Sequence, residues 1–208
     1  MKRFLLWIGL LFRVTIIIKV VEYLKRAYNY IYTGFTRQAF KSWGNGSIIL
    51  PYAINIKGEE YISIGENTQL GMSIQLTAWS RYNKTEYKPT ISIGDNCIIR
   101  DFAHITAINE IIIGNNLLTG TNVLITDNSH GYLSKESVDI PPNKRDLVSN
   151  GPVHIGNNVW LGNNVIILPN VTIGNGVIVG ANSVVTKDIP DNCVAAGVPA
   201  KVVKRLES

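Results

Sequence analysis

This sequence predicts an all-β chain wound as a parallel β-helix, led in by one helical segment and broken by two loop insertions. The first observation behind that is a strict period. Ile155, Leu161, Ile167, Ile173, Val179 and Val185 follow one another at six-residue steps. The second is grouping. The same phase recurs at Ile64, Leu70 and Leu76, at Ile93, Ile99 and Ile105, and at Ile113, Thr119 and Ile125, giving fifteen hexads in threes. A period of six fits neither an amphipathic helix, which needs 3.6, nor an alternating strand pair. It fits a triangular coil in which each short strand forms one side.

The chain opens with a helical segment, residues 1–44. FLLWIGLLFRVTIIIKVVEYLKRAYNYIY is apolar over most of its circumference, with Thr15, Lys19, Glu22 and Arg26 forming a polar stripe at 4-3-4 spacing. Arg13 and Lys19 interrupt the apolar run, so no stretch of about 18 uncharged residues spans a bilayer. No small-x-small cleavage site follows it either. Two readings stay open: a helix packed on the body or on a neighbouring subunit, or an interfacial helix in peripheral contact with an anionic membrane through residues 1–33.

The coil, residues 45–208, follows from residue types. The aliphatic side chain that starts each hexad points inward and stacks on its equivalents one coil away. The fifth position, often Val, turns inward near the corner. Asn and Gly supply the corners because both tolerate positive φ. The pair Asn-Asn recurs at 115–116, 157–158 and 163–164 in one phase. Two insertions interrupt this text, at about 78–89 and 127–152, and such loops often carry function.

Charge and cysteine content narrow the functions. Residues 1–41 hold eight Lys and Arg against Glu22 alone, a net +7. The whole chain is +5, so residues 42–208 carry −2. The coil therefore offers no basic groove for nucleic acid. Cys97 and Cys193 show no metal or redox spacing, and a reducing, cytoplasmic setting fits. Neither is near a plausible base, so a covalent acyl-enzyme is not expected. The three histidines are 26 and 24 residues apart, a spacing that follows no ligand pattern, and no metal is expected.

His130 is the candidate base. Counting places it sixth in the hexad begun by Ile125, where the chain leaves the coil. Glu110 ends the corresponding hexad one coil earlier, roughly 4.8 Å away. A carboxylate there would accept from one imidazole nitrogen and leave the other as base. The two extra residues between Ile105 and Ile113 weaken that count, and Asn109 and Asp127 compete for the orienting role or contact an acceptor. His104 and His154 read as structural.

The C-terminal text IGNNVWLGNNVIILPNVTIG, then VIVGANSVVTKDIP, then AAGVPAKVVKRL, resembles the hexapeptide-repeat acyltransferases, the likeness covering residues 45–203. It is nearest the branch that acetylates sugars and polysaccharides from acetyl-CoA. The resemblance implies a left-handed coil, homotrimers with active sites between subunits, and a catalytic histidine in the loop that holds His130. It implies an oxyanion donor among the backbone N–H groups near Gly162 and Asn163. For CoA it implies small residues at Gly162, Gly180 and Ala181, with Trp160 beside the reaction centre. Thr186 and Lys187 match positions flanking the distal pantetheine, and Lys201 and Lys204 can meet phosphates as point charges. Trp79, Arg81 and Tyr82 offer an acceptor wall, since aromatic faces suit sugar rings. The expected reaction is acetyl transfer to a hydroxyl of a surface-polysaccharide precursor, at the inner face of a membrane or free in the cytoplasm. N-acetylation of an amino sugar, transfer to serine or an antibiotic, and a scaffold without turnover remain alternatives.

Overall fold

In the computed structural model, which describes residues 1–53, 55–132 and 134–205, the hexads stack as a three-sided prism. One side carries Ser42–Trp43, Ile62–Ile64, Thr90–Ile93, Glu110–Ile113, Val153–Ile155 and Val171–Ile173, all parallel. The second carries Ile48–Ile49, Gln69–Leu70, Ile98–Ile99, Leu118–Thr119, Trp160–Leu161 and Ile178–Val179. The third carries Asn55–Lys57, Gln75–Ala78, His104–Ala107, Leu124–Thr126, Ile166–Ile167 and Val184–Val185. A hairpin of Cys193–Gly197 and Ala200–Arg205 closes the far end of the second side.

The registers realise the period residue by residue. Ile64, Ile93, Ile113, Ile155 and Ile173 are successive partners on the first side. Leu76, Ile105, Ile125, Ile167 and Val185 are successive partners on the third. Every hexad-initial residue is buried, as are the fifth-position residues Val159, Val165, Val171 and Val177. Asn158, Asn164 and Asn182 all turn corners at positive φ, and Asn122, Asn164 and Asn182 join side chain to side chain at 2.9–3.0 Å. An earlier coil, built from Trp43, Ile49 and Ile56, stands before the first of the fifteen hexads.

The helical segment is a single α-helix, α1 (Lys2–Thr36). It does not lie along the prism: from Lys2 to Arg26 every side chain except Ile8 is exposed. Contact begins in the last turns. The Thr33 hydroxyl donates to Ile49 O and accepts from Ile49 N–H, both at 3.1 Å, and Tyr32 packs against the core. The two charges within its apolar run do not shorten it below a span: an 18-residue window reaches a mean hydropathy of 2.3, so α1 is long and apolar enough to cross a membrane.

Both insertions are ordered by each other. Arg81–Tyr82 and Thr85–Glu86 form an antiparallel hairpin, and Ser129–His130 pairs antiparallel with Leu147–Val148. Tyr82 Oη donates to Asn143 O at 3.2 Å, Asn83 Nδ2 to Arg145 O at 3.3 Å, and Tyr87 Oη to Leu147 O at 2.9 Å. These bonds tie loops about sixty residues apart in sequence over one corner of the prism.

Candidate active site

The chain leaves the third side at Thr126, and the next two residues fix how it leaves. Asp127 is fully buried. Its Oδ1 accepts from Ile108 N–H at 3.0 Å and from Asn128 Nδ2 at 2.9 Å, and its Oδ2 accepts from Asn109 N–H at 2.8 Å. Burial pushes its carboxyl above the usual carboxylate range, outweighing those donors. Asn128 adds a bond from Nδ2 to Thr106 O at 3.2 Å, while its N–H donates to the Thr126 hydroxyl at 3.1 Å. Asp127 and Asn128 thus pin the exit to the coil before. Asp127 is consequently a positioning residue and not the acceptor contact the sequence suggested, since no part of it is exposed.

Two residues further on, exposed His130 lies at the rim of a cavity of about 200 Å³. The Tyr82 ring meets the imidazole edge-on at 5.5 Å between centroids, and Trp79 meets Tyr82 at 5.7 Å. Lys57 Nζ sits 3.7 Å over the Trp79 ring, which holds that indole against the first coil. The walls come from consecutive coils: Asn55, Gln75 and His104 in adjacent register, and beside them Thr77 and Thr106, whose hydroxyls bond at 2.9 Å. Trp79, Tyr82 and His130 are therefore brought together at one rim. Arg81 is on the same hairpin and exposed, but does not line the cavity.

Glu110 requires a correction. It bonds His154, with Oε1 2.9 Å from Nε2, and does not reach His130. Glu110 starts the strand Glu110–Ile113 on the first side, and its outward face continues onto His154, the partner of Ile112. The two extra residues after Ile105 belong to that next side, so counting them into the preceding hexad misplaced Glu110. His130 in turn pairs with Leu147 outside the prism, where no coil register applies. Asn109 has an exposed side chain and is held through its backbone, its N–H donating to Asp127 and its carbonyl accepting from Thr90 N–H at 2.8 Å.

His104 was read as structural and lines the cavity instead. Burial holds its imidazole below the usual range, so it is neutral near pH 7. The signal in sequence was its place one residue before an inward aliphatic, an outward position shared with Gln75. Phe102 was also missed. It occupies a corner at φ 61, where most corners have Asn, and borders a trough with His104, Asn122, Leu124 and Asn164. That trough shares Gln75 and His104 with the cavity.

The residues expected to meet CoA gather elsewhere. Trp160, Gly162, Asn163, Gly180 and Ala181 line a cleft with Gly120 and Ile178, at the corner between the second and third sides. Gly162 is required there, because a Cβ would lie 2.6 Å from Ala181 N. Its N–H already donates to Val179 O at 2.8 Å, so of the two expected oxyanion donors the Asn163 N–H is the one the coil ladder does not engage. Thr186 and Lys187 are exposed beyond the last strand of the third side, and Lys201 and Lys204 are exposed on the closing hairpin, outside this cleft. The cleft and the His130 cavity share no residue. Both thiols are buried, and burial raises Cys97 further from reactivity.

Known proteins place the chain. A family model described as bacterial transferase hexapeptide (six repeats) matches residues 152–187. A protein named as a lipopolysaccharide biosynthesis O-acetyl transferase in Escherichia coli (strain K12) is 42% identical over 161 residues, covering 76% of this chain and 78% of that one. The galactoside O-acetyltransferase of the same organism is 35% identical over 71% of this chain and 66% of its own. Among solved structures, a variant of the Bacillus cereus N-acyltransferase AntD with dTDP and coenzyme A matches with TM-score 0.66 at 23% identity, covering 84% and 89% of the two chains. A Vibrio cholerae hexapeptide-repeat acetyltransferase complexed with acetyl coenzyme A matches with TM-score 0.55 at 23% identity, covering 89% and 80%. The coil is thus the left-handed parallel β-helix of these proteins, and the chain belongs to the hexapeptide-repeat acetyltransferase family.

Proposed function

We propose that this protein moves the acetyl group of acetyl-CoA to a hydroxyl of a sugar, with His130 as general base. The observation that supports this most is the cavity itself. An exposed imidazole stands beside Tyr82 and Trp79, over a floor of the neutral hydrogen-bonding groups Asn55 and Gln75, with the buried Thr77–Thr106 hydroxyl pair behind them. Such a floor can pair with sugar hydroxyls, and among the described residues that line the cavity there is no carboxylate to hold an amine. Two relatives, matched over 161 and 153 residues, are named as O-acetyltransferases, which points the same way.

The imidazole takes the proton from the acceptor hydroxyl as its oxygen attacks the thioester carbonyl. A tetrahedral oxyanion forms, and the Asn163 N–H is its candidate donor. Collapse breaks the C–S bond, the thiolate takes the proton from the imidazolium, and an acetyl ester is left. No covalent enzyme intermediate enters this route. Within one chain the CoA cleft and the cavity lie at separate corners. We therefore read the working unit as a homotrimer in which the CoA cleft of one copy faces the cavity of the next.

The test is product chemistry. The protein is incubated with acetyl-CoA and a panel of sugars and amino sugars, and products are resolved by mass spectrometry before and after mild alkali. Alkali-labile acetyl esters are expected. Alkali-stable amides as the sole product would replace this reading with N-acetyl transfer.

A further inference from the structure

The helix α1 exposes apolar side chains on every side. Phe4, Leu6, Trp7, Phe12, Ile17 and Val20 are each at least half exposed, and at about 100° per residue they point into all four quadrants. Residues 4–12 contain no charged side chain. A helix lying in the headgroup layer needs one polar face along its whole length opposite an apolar one. Here the polar stripe of Thr15, Lys19, Glu22 and Arg26 is confined to the second half, and residues 4–12 have no polar face. Its length fits a different placement. Residues 4–24 rise about 32 Å at 1.5 Å each, against a hydrocarbon core of about 30 Å.

The ends match as well. Lys2, Arg3 and Trp7 mark one end; at the other, Tyr23, Tyr28, Tyr30 and Tyr52 are all exposed beside Lys25 and Arg26. Aromatic residues with cations at both ends of an apolar helix are the pattern of a membrane-water boundary. Residues 4–24 hold three charges, Arg13, Lys19 and Glu22. Lys19 and Glu22 lie within about two turns of the prism end, and Arg13, near the middle, carries a cost that its long stem lessens. Lys25, Arg26, Arg37 and Lys41 on the prism side outnumber Lys2 and Arg3, which orients the prism to the cytoplasm.

We propose that residues 4–24 span a phospholipid bilayer and hold the first coil at its cytoplasmic surface, so that the acceptor is a sugar carried by a lipid in that bilayer. The second clause rests on the acetyl-transfer reading. The apolar segment ends where α1 meets the prism: Lys25, Tyr28 and Asn29 line a cleft with Leu50, Tyr52 and Met72 of the first two coils. The His130 cavity starts on that same first coil, at Asn55. At one strand spacing of about 4.8 Å per coil, the exit at Thr126, on the fourth coil, lies about 15 Å up the prism. The cavity therefore opens within reach of a sugar on a lipid carrier.

The full-length protein is reconstituted into vesicles of neutral phosphatidylcholine and of phosphatidylcholine with phosphatidylglycerol, then washed in 1 M NaCl and in alkaline carbonate. Retention on both is expected. The double variant Leu10→Lys with Ile17→Lys should lose about tenfold or more in retention. Release of the wild-type protein by salt, dependence on anionic lipid, or retention of the double variant would overturn the span. For the acceptor, CoA release is compared for one sugar on a long-chain lipid in the vesicles and the same sugar free. A preference of about tenfold or more for the lipid form is expected in the wild type, because sharing a membrane raises effective concentration. That preference should vanish in the double variant, with turnover of the free sugar unchanged. Equal rates in the wild type would overturn the lipid acceptor. No turnover of either sugar, with retention intact, would overturn the transfer reading and the acceptor with it, and leave the span supported.

Discussion

Replacing Asp127 by Ala should damage folding and turnover together. The carboxylate holds Ile108 N–H, Asn109 N–H and the Asn128 amide at 2.8–3.0 Å. Removing it strands Ile108 N–H in a buried place, at a cost of about 1–3 kcal/mol. The other two donors recover partners more readily, Asn109 from water and Asn128 from Thr106 O, so together they add roughly 1 kcal/mol. A total of about 2–4 kcal/mol should lower the melting temperature by roughly 5–15 °C in a chain of this size. The same change frees the exit that aims His130, and a displacement near 1 Å can reduce kcat about 100-fold. Thermal unfolding by circular dichroism and steady-state CoA release measure the two effects. KM for acetyl-CoA should hold, because the CoA cleft lies at another corner. A melting temperature within 2 °C of wild type, roughly the noise of a neutral substitution, or a folded variant with normal kcat, would refute the positioning argument.

Further outcomes follow from the same geometry. Glu110→Gln should leave kcat within a few-fold and stability within about 1 kcal/mol, since its partner is the half-exposed His154; a large loss of kcat would return Glu110 to the base. Asp127 has a folded-state pKa above its unfolded value, so the native state keeps a proton that the unfolded chain loses, and wild-type stability from this group falls as pH rises from about 4. The gap in melting temperature between wild type and Asp127→Asn should accordingly narrow as pH rises above the ordinary carboxylate range; a widening gap contradicts the raised pKa. Gly162→Ala should raise KM for acetyl-CoA or abolish binding, because its Cβ would press on Ala181 N; titration calorimetry with CoA reads this, and unchanged affinity would remove that corner from the CoA path. If cavity and cleft come from adjacent copies, mixing inactive His130→Ala with inactive Gly162→Ala should restore about one quarter of wild-type activity after subunit exchange, since one interface in four joins two intact faces; no recovery argues for a site within one chain.

The inward half of the structure was readable from sequence because the coil repeats one demand every six residues. Ile64, Ile93, Ile113, Ile155 and Ile173 meet the same neighbours, so chemistry recurs with the phase. The first coil escaped because Trp43, Ile49 and Ile56 are six and seven residues apart and carry an indole in place of an aliphatic. The outward half obeys no such demand. Asn55, Gln75 and His104 become one wall through register alone, and nothing in their identities announces it. Glu110 shows the limit most plainly: two residues of extra strand moved its side chain onto another face. Loop-to-loop bonds such as Tyr87 with Leu147 depend on packing between distant segments, which a local period cannot encode. The reach of α1 beyond the prism was hidden for a related reason, since an apolar helix reads alike whether protein or lipid covers it.

The central claim is that the imidazole of His130 moves the proton. Wild type and His130→Ala are compared by CoA release with a sugar acceptor found to yield an acetyl ester. His130 is exposed, so the variant should fold with stability within about 0.5 kcal/mol of wild type. The account predicts a kcat lower by about 10²- to 10⁴-fold with KM for acetyl-CoA unchanged. A folded His130→Ala protein that turns over within a few-fold of wild type would contradict it.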